Sequence, residues 1–71
     1  MTQQQAHTLI KDLLTEKKLY ENDISNAFLQ EKELGIIAEQ IISISKTLLP
    51  EEMTAEEKDA VRWADNFLTY R

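Results

Sequence analysis

The 71-residue chain has no cysteine and only one histidine, one glycine, one proline and one tryptophan. Each scarcity removes a class of chemistry. Without cysteine there is neither a disulfide staple nor a thiolate metal site. A single imidazole, His7, cannot build a histidine metal cluster. It also leaves almost nothing from which to assemble a Ser-His or Cys-His nucleophile pair. One glycine supplies neither a phosphate-binding loop nor a dinucleotide-binding fingerprint, and the EF-hand loop pattern is missing. No segment reaches the roughly 18 apolar residues of a membrane span. The opening Met1-Thr2-Gln3-Gln4-Gln5 lacks the basic-then-apolar build of a secretory signal. The reading is a cytoplasmic chain with no catalytic residues, no cofactor and no metal.

Basic charge is short as well. Eight Lys and Arg stand against thirteen Asp and Glu, for a net charge of −5. The first 22 residues are neutral, and the acidity gathers toward the end, where Lys58, Arg62 and Arg71 face six acids in residues 50–71. Phosphate backbones and anionic lipid surfaces are held by basic patches. None is visible here, which argues against direct nucleic-acid or membrane binding.

What remains is helical periodicity. A first helix is expected over residues 3–19. Thr2 and Gln5 have capping-box spacing, and Ala6, Leu9, Ile10, Leu13 and Leu14 fall in an arc of about 140°. Lys17 and Lys18 suit the negative end of the helix dipole. Leu19 lies on the far side of the arc, and Tyr20-Glu21-Asn22-Asp23 reads as a breaker with Asn22 or Asp23 as the next N-cap. A second, longer helix is expected over 23–49. Leu34, Ile37, Ile41, Ile44 and Leu48 alternate at three and four residues, a coiled-coil-like seam, and Ala38, Ile42 and Leu49 share its arc. Gly35 could divide this stretch as a C-cap, but no capping residue follows it, so one continuous helix is favoured. Leu49-Pro50 ends it. The third helix, 55–70, opens on a second capping box, Thr54 with Glu57. Its apolar half is Ala60, Val61, Trp63, Ala64, Phe67, Leu68 and Tyr70. The fold class is therefore all-α, a single domain over 1–71, with short flanking helices around a long amphipathic middle one.

A domain of this length buries only about 60% of its unfolded surface, and small scaffolds usually add a staple. With disulfides and metals excluded, a second subunit or a partner is what remains, so self-association, as a dimer, is expected. Glu51, Glu52, Glu56 and Glu57 read as water-screened charges that complement a helix start. His7 reads as a half-exposed surface side chain, and Ser45 as a small residue bonded to a carbonyl one turn back.

Five residues are candidates for a partner surface. Trp63 and Tyr70 lie at the rim of the third helix's arc, where an aromatic is either core or contact residue. Leu29 and Ile36 are seven apart on the face opposite the seam, with Phe28 adjacent, and together form either scattered exposed residues or a second contact strip. The expected function is a non-enzymatic, acidic protein-binding regulator or adaptor that occupies a surface on a larger protein. Inhibitors from phages or mobile elements, immunity proteins and secretion co-chaperones are of this class. The alternatives are a structural self-associating module and an acidic nucleic-acid mimic.

Overall fold

The computed structural model describes residues 2–22 and 27–70, and over these the chain is all helix and connecting turn. Thr2 opens α1 (Gln3–Asn22) as the capping spacing predicts. Its amide donates to Gln5 Oε1 at 2.9 Å while Gln5 N–H donates to Thr2 Oγ1 at 3.1 Å. The same reciprocal pair, Thr54 N–H to Glu57 Oε1 at 2.8 Å and Glu57 N–H to Thr54 Oγ1 at 3.1 Å, opens α3 (Ala55–Tyr70). Each box satisfies two amides that a helix start would otherwise leave without partners.

Between them runs α2 (Ala27–Ser45), unbroken at Gly35, which is buried and has no left-handed backbone. Gly35 is therefore not a cap. The expected second helix is longer than the one observed. Its proposed start at Asp23 and Ile24 lies outside the described residues, and its end moves back from Leu49 to Ser45. Hydroxyls explain the early stop. Ser45 Oγ donates to the Ile42 carbonyl and Thr47 Oγ1 to the Ile44 carbonyl, both at 2.8 Å. Tight three-residue turns, Thr47 N–H to Ile44 O and Leu48 N–H to Ser45 O, then wind the chain off the helix. Leu49 is extended before Pro50, which begins a short 3-10 turn, Pro50–Glu52. Leu48 still reaches the core from this turn, whereas Leu49, expected in the core arc, is exposed.

The first helix departs from expectation in the other direction, running through the supposed breaker to Asn22. Two tertiary contacts account for it. Tyr20 packs against the core, and the Gln30 side-chain amide donates to the carbonyls of Tyr20 at 2.7 Å and Glu21 at 3.2 Å. Terminal carbonyls that lack intrahelical donors thus find one on α2.

The core draws Ala6, Ile10 and Leu13 from α1, Leu34, Ile37, Ala38 and Ile41 from α2, Leu48 from the turn, and Ala60 and Ala64 from α3. Ile44 and Leu14 pack against it without being fully buried, and Leu9, also expected inside, is exposed. Both outer helices pack mainly on α2 and touch each other far less. His7 meets Glu57 and Lys17 meets Trp63, so α1 and α3 run parallel. Leu9 and Leu13 share a groove with Gln40, Ser43 and Ile44, which makes α2 antiparallel to them. The bundle measures 37 × 22 × 20 Å.

Among the described residues Ile10 and Ile41 are the largest side chains fully removed from water. Replacing Ile41 by Asp should therefore abolish the folded state, because an unpaired buried charge costs more than a small domain's margin. A cooperative thermal melt of that variant by circular dichroism would show the seam to be misassigned.

Candidate interaction surface

The five candidate contact residues do not share one environment. Trp63 is half-buried and packs against the core. Its ring lies 5.4 Å from that of Phe67, tilted by 39°, a contact worth about 0.5–1.5 kcal/mol beyond area burial. The Lys17 ammonium stands 4.6 Å over the Trp63 ring and is held there by Glu21 at 3.0 Å. An indole face already covered by a cation is less available to a partner. Trp63 thus closes the groove between α1 and α3.

Tyr70 and Phe28, by contrast, are 84% and 79% exposed. Leu19, which was not among the candidates, is 66% exposed. These three are the most exposed large apolar side chains among the described residues. The antiparallel topology brings them to one end of the bundle, because the C-termini of α1 and α3 and the N-terminus of α2 meet there. The exposure of Leu19 was legible from its position opposite the apolar arc of α1. Leu29 and Ile36 are each a little under half exposed. With Phe28 they lie on the side of α2 turned away from Leu34, Ile37 and Ile41. A shallow groove on that side is lined by Phe28, Glu31, Lys32, Ile36 and Glu39. The sequence-derived set therefore splits into an outer strip of α2 (Phe28, Leu29, Ile36), an end group (Phe28, Tyr70), and Trp63, which is half-buried against the core.

A second feature corrects the reading of the acidic residues. Glu57 is not water-screened: it is 5% exposed. Its carboxylate accepts from the Thr54 amide and meets the His7 ring at Nδ1, tying α3 to α1. An ionised carboxylate only accepts, so Nδ1 carries the proton in this pair. Nearby, the Gln3 side-chain amide donates to Glu52. Burial alone would raise the Glu57 pKa. The Thr54 amide outweighs it together with the hydrogen bond and charge of His7 and the Thr54 hydroxyl, and the carboxyl settles below its ordinary value. The capping-box spacing was legible in the sequence, but the fifty-residue link from His7 was not. Among the described residues no three His, Asp or Glu side chains converge as metal ligands would. Among the same residues no helix is long and apolar enough to cross a membrane.

Comparison with known proteins finds no counterpart: no family model fits the chain, and no curated protein or solved structure is significantly similar to it.

The depressed Glu57 pKa sets a pH dependence. A group whose pKa is lower in the folded than in the unfolded state contributes stability above its unfolded pKa, and that contribution is lost as the pH falls through the folded value. Acidification into and below the carboxylate range should lower the melting temperature of the native protein more than that of Glu57→Gln. Parallel declines of the two melting temperatures would mean that the buried carboxylate contributes nothing to acid sensitivity.

Proposed function

We propose that this chain is a non-enzymatic protein-binding regulator or adaptor, acting by laying an exposed apolar surface on another protein. The observation that carries the reading is the exposure of Phe28, Leu29 and Ile36 on the outer side of α2, with Tyr70 and Leu19 also exposed. A single exposed leucine needs no explanation, whereas contiguous large apolar side chains on a small monomer mark interaction sites. Phenylalanine and tyrosine bury much area for little lost side-chain freedom and are effective anchors. The net charge of −5 favours partners with basic rims and repels acidic ones.

A second reading is self-association through the same strip. Lys32 and Glu39 favour it, because they place opposite charges on either side of Ile36 in the groove of α2. The two readings share one surface and differ in what occupies it.

The test separates surface from core. Phe28→Ala and Tyr70→Ala should change unfolding stability by no more than about 0.5 kcal/mol, while lowering affinity for a partner captured from the source cell by about tenfold or more. Trp63→Ala should instead destabilise the fold, by up to about 3 kcal/mol, through lost packing. Unfolding of Phe28→Ala or Tyr70→Ala, or unchanged partner affinity in both, would overturn the assignment.

A further inference from the structure

We infer that the outer strip of α2 takes a second copy of the chain, paired antiparallel about a two-fold axis that passes between Gly35 and Ile36. This rests on the reading of that strip as an interaction surface and names its occupant.

Lys32 and Glu39 are seven residues apart, about 10.5 Å along a helix, and seven residues return nearly to the same side of it. Both line the groove that Ile36 also lines. Gly35 and Ile36 straddle the midpoint between them. When two such helices face each other antiparallel about that midpoint, Lys32 of each lies level with Glu39 of the other. The interface then carries two identical cross-pairs, as an isologous two-fold contact requires. Ile36 meets Ile36 of the second copy at the axis. Phe28 and Ser43 are also equidistant from the midpoint, so each exposed Phe28 ring comes level with a small, exposed Ser43 that leaves it room.

The same charges reject the alternative. In parallel register Lys32 would face Lys32 and Glu39 would face Glu39, which is repulsive at both positions. Charged residues flanking an apolar contact set orientation in this way in paired helices. Repulsion between two copies of net charge −5 makes such local attraction the more necessary. Glu31, at the edge of the groove, adds a second acid near the pair but has no basic counterpart level with it.

The experiment is sedimentation equilibrium on the full chain in four forms: native, Lys32→Glu, Glu39→Lys, and the double exchange Lys32→Glu/Glu39→Lys. Far-ultraviolet circular dichroism of each confirms helix content, which these exposed substitutions should leave unchanged. The native chain should dimerise with rising concentration. Each single exchange should weaken the dimer by about tenfold or more, since it sets like charges together. The double exchange should restore it. A native chain that stays monomeric overturns the second-copy inference, and the wider reading then stands or falls on the Phe28 and Tyr70 affinities. A dimer indifferent to the single exchanges, or one that the double exchange fails to restore, overturns the register. Ile36→Asp should abolish the dimer while keeping the helices, and a dimer that persists in that variant also overturns the proposal.

Discussion

The fold depends on α2 burying one side against two neighbours that scarcely support each other. Leu34, Ile37, Ala38 and Ile41 line that side. Ala6, Ile10 and Leu13 meet them from one flank and Ala60 and Ala64 from the other. Small alanines on both outer helices let the backbones approach α2 closely. They also keep the core thin, with Ile10 and Ile41 as its largest fully buried side chains among the described residues. Apolar burial is worth about 25 cal/mol per Å², and a core of this size leaves little margin over the conformational entropy it must offset.

This division of labour shapes the surfaces. Because α1 and α3 meet mainly through α2, the groove between them is closed by other means: His7 with Glu57, Gln3 with Glu52, and Lys17 over Trp63. These polar and cation–π contacts engage Trp63 and Glu57. The opposite side of α2 lies outside the core. Phe28, Leu29 and Ile36 stand there with Lys32 and Glu39, and the end of the bundle adds Tyr70 and Leu19. The large apolar side chains that stay exposed on α2 are thus those its packing does not use.

Features set by local spacing were legible in the sequence. Both capping boxes form as Thr2/Gln5 and Thr54/Glu57 predict, Ser45 bonds one turn back, and four of the five expected seam residues, Leu34, Ile37 and Ile41 in α2 and Leu48 in the turn after it, lie in the core cluster as buried side chains. Features set by contacts distant in sequence were not. The end of α1 depends on Gln30 reaching back across the turn, and the burial of Glu57 depends on His7. The end of α2 reflects competition, where an apolar arc continuing to Leu49 lost to Ser45 and Thr47 hydroxyls that offered the backbone another partner. Among the candidate contact residues, the exposure of the outer positions of α2 followed from periodicity alone. The surroundings of Trp63 did not, because a lysine from another helix covers its ring.

Native-state hydrogen exchange on the free chain tests most directly whether α2 holds the bundle together. Amides that open only in global unfolding mark the element on which the others depend. The account places the slowest amides in α2 around Ile37–Ile41, with those near Ile10 in α1 and Ala60–Ala64 in α3 equally or less protected. Amides in α1 or α3 that outlast every amide of α2 would reveal a unit that persists without the middle helix, and would contradict it.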